Sequence, residues 1–283
     1  MIYMLVNLEH NKYDFNIAGQ RLRFFVEQAI KYFKADGVKK VFIAFTADLM
    51  NSDRRLDELL ATATNRSRAT FLAVDILRQL IIDLNKHFNV SVGWVNGNEG
   101  RVGKDVGFVD QIASDNYDEV ILRTLSYLFK DCEGVEFHEP QDPLEMVVHI
   151  AGQNMLLVHG HTLGRDVNKG VTKYKAKHAA QGNIIDYVIF GHIHEAYISD
   201  TFARSGSPVG DNAYSDKALN LTGRASQNIY IFSNNGNRNG IKIDLQNIPQ
   251  AYKGYITDEK LHSYNIKSVD KGKPHSLIMQ IVI

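Results

Sequence analysis

Apolar positions in the first half of the chain follow two rhythms. Residues 2–8, 41–45 and 90–95 are short runs dense in Val, Ile, Leu and aromatic residues, as in strands covered on both faces. Between the first two, Leu22, Phe25, Val26, Ala29, Ile30 and Phe33 recur at helical spacing, which predicts an amphipathic helix over residues 17–33 ended by Gly37. A second helical stripe, clearest at Leu77, Leu80, Ile81, Leu84 and Phe88, runs through residues 52–88. Asp115 stands where it would cap a third helix, which contains Val120, Ile121, Leu125, Leu128 and Phe129. Strands alternating with helices predict a parallel sheet.

Beyond Cys132 strands dominate. Residues 135–137, 145–150 and 155–158 read as strands, the last two joined through Ala151-Gly152-Gln153-Asn154 as a hairpin. A helix over 173–180 closed by Gly182 precedes the apolar run 187–190. Residues 205–226 read as a long loop, 228–232 and 240–245 as strands around a turn-rich stretch, and 277–283 as a closing strand. Two packed sheets covered by helices accommodate this order.

Composition narrows the picture. With 283 residues, 44% of them hydrophobic, and no long linker in its middle, the chain is expected to form one domain over residues 1–283. Thirty-two basic and 32 acidic residues cancel, which argues against coating nucleic acid by bulk charge and requires any polyanion to be recognised locally. A single cysteine and a start without a basic leader point to a reducing, cytoplasmic setting, and no apolar run approaches the ~20 residues of a membrane span.

The candidate chemistry lies just past strand ends. His159-Gly160-His161 and Gly191-His192-Ile193-His194 each follow an apolar run. With 21 Gly and 11 His in the chain, each pattern arises by chance only about 0.03 times. Imidazole is the commonest protein metal ligand, and sharp glycine turns let distant segments converge on one ion. Thr46-Ala47-Asp48 and Asn96-Gly97-Asn98-Glu99 follow the strands at 41–45 and 90–95, adding a carboxylate and an amide oxygen at equivalent positions. Alone, Asp48 reads as a helix cap and Asn98 as an ordinary turn residue. Their order along the chain changes that reading.

Strand-Asp, Gly-Asn-Glu, His-Gly-His and Gly-His-x-His, taken over residues 2–194, resemble the calcineurin-like metallophosphoesterase superfamily. The resemblance implies an α/β (α+β) fold, a four-layer αββα sandwich of two mixed sheets flanked by helices, with two divalent ions at the sheet edge. It implies that Asp48 bridges both ions, that Asn98, His159 and His192 bind one, and that His194 binds the other. Carboxylate, amide and imidazole ligands suit manganese first, with zinc or iron as alternatives, and fit calcium poorly. Two such ions would hold a phosphate and activate a water for in-line attack at phosphorus.

Four residues depart from the superfamily pattern. Its first element, Asp-x-His, corresponds here to Asn7-Leu8-Glu9. Asn7 supplies an oxygen without charge and Glu9 a carboxylate on a longer arm, so the first ion's ligation is weakened or rearranged. The histidine expected beside Asn98, which protonates the leaving group, is Glu99. A carboxylate near divalent ions stays ionised and makes a poor acid, which leaves His161 as the stand-in. Ala47 replaces a glycine, a small change.

In texture the chain is most similar to the DNA-repair exonuclease and phage-type branch of that superfamily, whose members often form homodimers. Arg54, Arg55, Arg101 and Arg165 follow site segments and are candidates for holding substrate phosphate. The expected activity is metal-dependent phosphodiester hydrolysis, with DNA as substrate. The alternatives are a phosphomonoesterase or small-nucleotide hydrolase, and a catalytically feeble protein that captures phosphate-bearing ligands.

Overall fold

The computed structural model describes residues 2–53, 56–103, 113–212, 223–249 and 251–256. The first strands, β1 (Val6–Asn7) and β2 (Lys12–Tyr13), form a small antiparallel ribbon ahead of helix α1 (Phe15–Ala35). There follow β3 (Lys40–Phe45), a short α2 (Leu56–Leu60), α3 (Arg66–Asn85), β4 (Asn89–Trp94), α4 (Tyr117–Leu128) and β5 (Val135–His138). The second half comprises β6 (Glu145–Ile150), β7 (Gln153–Val158), α5 (Val167–Ala180), β8 (Tyr187–Phe190), β9 (Tyr197–Ile198), β10 (Phe202–Arg204), β11 (Ser226–Phe232) and β12 (Arg238–Asp244).

Strands β3, β4 and β5 pair in parallel, as the strand-helix alternation predicts. A five-stranded mixed sheet has the order β6-β7-β8-β10-β9, and β11-β12 is an antiparallel ribbon. Alternation of side chains assigns these elements to four layers. Val41, Ile43 and Phe45 of β3, Val90, Val92 and Trp94 of β4 and Ile229 and Ile231 of β11 pack with the apolar stripes of α1, α3 and α4. The opposite faces, Phe42, Ala44, Tyr230 and Phe232, meet Met155 and Leu157 of β7 and Tyr187 and Ile189 of β8 between the sheets. The remaining faces of β7 and β8, Leu156, Val158, Val188 and Phe190, are covered by Val171 and Val167 of α5. The fold is therefore an αββα sandwich of the expected class.

Local chemistry explains the element starts. Asp14, Asn65, Asn116 and Asp166 accept backbone amides two or three residues ahead and cap α1, α3, α4 and α5. The cap of α4 is thus Asn116 rather than Asp115. The hairpin between β6 and β7 turns on two residues, Ala151 (φ 50°) and Gly152 (φ 77°), so Gln153 and Asn154 already belong to β7.

Two larger departures have a common cause. The helical stripe expected through 52–88 is broken because the backbone of 61–63 pairs with the chain's start: Leu5 donates to the Ala61 carbonyl at 2.7 Å, and Ala63 to that of Tyr3 at 2.9 Å. Correspondingly, residues 2–8 do not form one strand of the main sheets. Leu8 donates to the Asn11 carbonyl at 2.9 Å, and the chain folds back so that Asn7 pairs with Lys12. The strand expected over 277–283 and part of the loop expected over 205–226 lie outside the described residues. Among those described, no helix is long and apolar enough to cross a membrane.

The inter-sheet core joins the two halves of the sandwich. Leu157, 1% exposed between the sheets, cannot be truncated without leaving a cavity. Leu157→Ala is expected to cost about 2–5 kcal/mol with an unchanged denaturant slope, measured by urea unfolding.

Candidate metal centre

Four strand ends converge. The Thr46-Ala47-Asp48 turn follows β3, Gly97-Asn98-Glu99 follows β4, His159 follows β7 and His192 follows β8. Asp48, His159 and His192 each offer a ligand atom within 4.8 Å of the others, and Asp48 and His159 are buried. The Nε2 atom of His159 lies 3.1 Å from Asp48 Oδ2 and 2.9 Å from Asn98 Oδ1. Its Nδ1 lies 2.7 Å from the Thr46 carbonyl, which cannot donate, so Nδ1 carries a proton. Nε2 then faces two acceptor oxygens, an arrangement satisfied by a proton on this nitrogen or by a cation held between the three atoms. Ligands around one ion at ~2.1 Å stand roughly 3–3.5 Å apart, which matches these separations. The donor set fits a divalent transition metal, and the Nδ1–H···O=C bond is the outer contact that fixes the tautomer of a ligating histidine.

Backbone geometry at this edge is unusual. Ala47 (φ 76°), Asp48 (φ 53°), His192 (φ 68°) and His194 (φ 66°) all adopt left-handed conformations without being glycine. Each costs of the order of 1 kcal/mol or more, strain that surrounding contacts must offset. Gly160, at φ 118°, occupies a region that only glycine enters readily. A Cβ on Gly97 would stand 2.2 Å from Asp48 Oδ1 and 2.8 Å from its amide nitrogen, so only glycine lets the two loops close.

A buried carboxylate absent from the sequence reading holds those loops together. Asp118, in the first turn of α4, accepts the amides of Asp48 at 3.0 Å, Leu49 at 2.9 Å and Gly97 at 3.2 Å. Asn116 adds a bond from its Nδ2 to the Gly97 carbonyl at 2.8 Å. Burial, and next the Asp48 carboxylate, push the Asp118 carboxyl up to about 6. Nothing in local sequence marked it, because its partners are main-chain amides of residues 21 and about 70 positions away.

Electrostatics prepare the ligands unequally. Burial raises the Asp48 carboxyl, but the charge and hydrogen bond of His159, the Glu99 amide and His194 outweigh it, and the group is held below the ordinary carboxylate range. For His159 burial opposes the charged ring, yet Asp48 prevails and its proton affinity is raised. Burial and then His159 lower His192, while burial, more than its neighbours, pushes His194 down to about 4. His161, whose ring centre is 5.4 Å from that of His159 and 6.2 Å from that of His192, is likewise pushed down to about 4, by burial and then by those two rings.

The other expected site residues divide between the centre and the surface. Asn7 and Glu9 are exposed on the β1-β2 ribbon and its turn, and Glu9 is not in the clustered group. Neighbouring His10 faces Asp211 at 3.4 Å. The oxygens of Glu99 accept from the Ser52 amide at 3.2 Å and from Asn98 Nδ2, so this side chain aims the Asn98 carbonyl at His159. Arg101 is half-buried and its charge acts on His161, whereas Arg165 is exposed. Arg54 and Arg55 lie outside the described residues. His194 and Asp48 line one cleft, although His194 is not in the three-residue group.

No protein-family model matches the chain, and no curated protein matches it. Among solved structures it is similar to Vps29 of Entamoeba histolytica complexed with zinc, at 17% identity over 59% of this chain and 89% of that one, with a TM-score of 0.34. A Thermotoga maritima protein solved by NMR matches at 13% identity over 73% and 99% of the respective chains, TM-score 0.33. A conserved Streptococcus pneumoniae protein described as a predicted phosphoesterase matches at 10% identity over 72% and 96%, TM-score 0.29. At these values the functional reading rests on the site's own geometry.

Two outcomes follow from the centre. Asp118→Ala leaves three amides without their acceptor and is expected to cost about 3 kcal/mol and to weaken metal binding, read by thermal unfolding and calorimetric titration. Metal must displace the proton that Asp48 helps His159 retain, whereas His192 and Asp48 need release none near neutrality. Affinity for zinc or manganese is therefore expected to rise with pH through and above about 6.5, by up to tenfold per unit, and then level off. Titrations in buffers of different ionisation enthalpy should show close to one proton released at the lower end; pH-independent uptake would contradict the assignment.

Proposed function

We propose that the protein is a metal-dependent phosphoester hydrolase whose preferred substrate is a phosphodiester, with DNA as the leading candidate. The observation that carries this reading is the convergence of Asp48, Asn98, His159 and His192 from four strand ends, with Asp48 and Asn98 oxygens both facing His159 Nε2. These four residues would hold a divalent ion, manganese being the first choice and zinc or iron the alternatives. A bound ion supplies positive charge to a phosphoryl oxygen and lowers the pKa of a coordinated water.

The chain's own groups supply the rest. Asp48 is ionised and His192 neutral near pH 7, so both are ready to ligate. Glu99 keeps the Asn98 carbonyl directed inward instead of acting as the acid itself. His161 is held neutral, and the negative charge of an arriving phosphate would raise its proton affinity toward the value a proton donor needs. Arg101 adds a charge suited to a phosphate oxygen on that side.

A second reading, a one-metal protein that binds phosphate-bearing ligands with slow turnover, is favoured by one observation. Asn7 and Glu9, the residues expected to complete a second ion position, are solvent-exposed.

With manganese, the protein is expected to hydrolyse bis(p-nitrophenyl) phosphate and DNA. Asp48→Ala or His192→Ala should lower kcat/KM at least about hundredfold, as expected for loss of a ligand to a catalytic ion. Unchanged activity in both variants would rule the proposal out. Hydrolysis of p-nitrophenyl phosphate without cleavage of diesters would move the assignment to a phosphomonoesterase. Elemental analysis of the manganese-loaded protein separates the readings further, two ions per chain supporting the dinuclear hydrolase and one ion with negligible turnover the binding protein.

A further inference from the structure

Helix α5 carries its charge in an arrangement that local helix chemistry disfavours. Residues 167–180 contain four lysines, Lys169, Lys173, Lys175 and Lys177, and no aspartate or glutamate. Lys173 follows Lys169 by four positions and precedes Lys177 by four, so like charges stand one turn apart where Glu–Lys pairs would support the helix. Lys169 also lies in the first turn, the end at which the helix dipole favours negative charge. Five of the first six residues, Val167, Asn168, Gly170, Val171 and Thr172, are weak helix formers. A solvated face shaped by stability alone would hold carboxylates among those lysines. Here the chain accepts the repulsion, a departure from local consistency of the kind expected where a surface has a ligand.

The lysines do not share one environment. Lys177 pairs with Glu145, and the half-buried Lys175 donates to the Asp186 carbonyl at 2.9 Å. Lys169 and Lys173 are exposed, as is Arg165 just ahead of the Asp166 cap. Asn168, Thr172 and Ala176 share this outer face, whereas Gly170, Val171 and His178 are buried beneath it. The stripe is thus cationic and hydrogen-bonding, as phosphate contacts require, and holds no large apolar side chain of the sort that enters a lipid layer.

Its position ties it to the metal centre. Strands β7 and β8 are parallel, so α5 carries the chain back from the end of one to the start of the other, and its first turn stands at the edge that bears the ligands. The turn that presents His161 rests on that part of the helix: Leu163 donates to the Gly160 carbonyl at 3.1 Å, and a Cβ on Gly170 would collide with the Leu163 carbonyl. Arg165 follows His161 by four residues, and Lys169 and Lys173 continue away from the edge. About 6 Å of helix separates the two lysines, one to two nucleotides of a strand with ~3.4 Å per phosphate. Because the chain's formal charge sums to zero, a local stripe rather than bulk charge must draw a polyanion to the centre.

We propose that Arg165, Lys169 and Lys173 form a track for the phosphodiester backbone of a polynucleotide, holding the phosphates next to the one at the metal centre without reading bases. The track rests on the phosphodiesterase reading of that centre and extends it: a polymer gains contacts that a small diester, reaching only the ligands, does not make.

Binding of a fluorescein-labelled oligothymidylate of about 12 nucleotides to the metal-free protein, followed by anisotropy across a salt series, tests the track apart from catalysis. Lys169→Gln/Lys173→Gln is expected to bind about tenfold more weakly at about 0.1 M salt and to reduce the slope of log affinity against log salt by about 1.4, about 0.7 for each lost contact. Lys31→Gln/Lys34→Gln removes the same charge from exposed positions of α1 near the start of β3, the edge opposite Asp48, and should bind within about twofold of the native chain. Lys169→Glu should bind more weakly even though its melting temperature rises, since it relieves the repulsion and complements the dipole. With manganese, the Lys169→Gln/Lys173→Gln chain should lose about tenfold more kcat/KM on the oligonucleotide than on bis(p-nitrophenyl) phosphate. Failure of the native chain to bind, equal weakening in the two double variants, or full affinity in Lys169→Glu would each overturn the proposal. So would capture of phosphatidylserine vesicles without capture of the oligonucleotide, which would assign the stripe to a membrane surface. Intact, stripe-dependent binding with no hydrolysis of either substrate would instead overturn the catalytic reading and leave the track standing.

Discussion

One imidazole holds the two sheets and the candidate chemistry in register. His159 leaves the end of β7 in one sheet and reaches across to the Thr46 carbonyl at the end of β3 in the other, a bond spanning 113 residues. That bond commits Nδ1 as a donor and turns the opposite nitrogen toward Asp48 and Asn98. Ligand orientation is thus set by main-chain geometry, which the packed sheets fix, and little side-chain freedom remains to be lost when an ion is captured.

Around this contact the protein places polar order against apolar order. Between the sheets Met155, Leu157 and Ile189 pack in a largely apolar core, while a few residues further along the same strands the chain turns into left-handed conformations and presents carboxylate, amide and imidazole. Asp118 and Asn116 make that transition tolerable, since they satisfy main-chain groups that the turns expose. The strain at Asp48, His192 and His194 and the amide clamp below it are two sides of one design: a rigid edge built from backbone that no regular strand or helix would provide.

Much of this was legible in the chain because it depends on periodicity. The runs at 41–45, 90–95 and 187–190 read as strands covered on both faces, and sheets covered on both faces concentrate ligands at strand ends, where Asp48, Asn98, His159 and His192 stand. What escaped was tertiary. Residues 2–8 carry a strand's composition, yet the pairing of Tyr3 and Leu5 with 61–63 and the reversal at Leu8 draw them out of the sheet, and Asn7 and Glu9 with them. Asp118 escaped because an acidic residue in a helix's first turn is commonplace, and only the folded backbone brings three amides to it.

The assembly of the centre from four separated strand ends has a thermodynamic corollary. No short stretch of the unfolded chain reproduces this ligand set, so an ion captured there binds the native state alone and its free energy adds to the stability of the whole sandwich. At a free ion concentration a hundred times the dissociation constant, that contribution is about 2.7 kcal/mol, comparable to a well-packed core leucine. If the proposed ion is bound, the melting temperature rises with its supply, and starvation for it registers as loss of the folded chain.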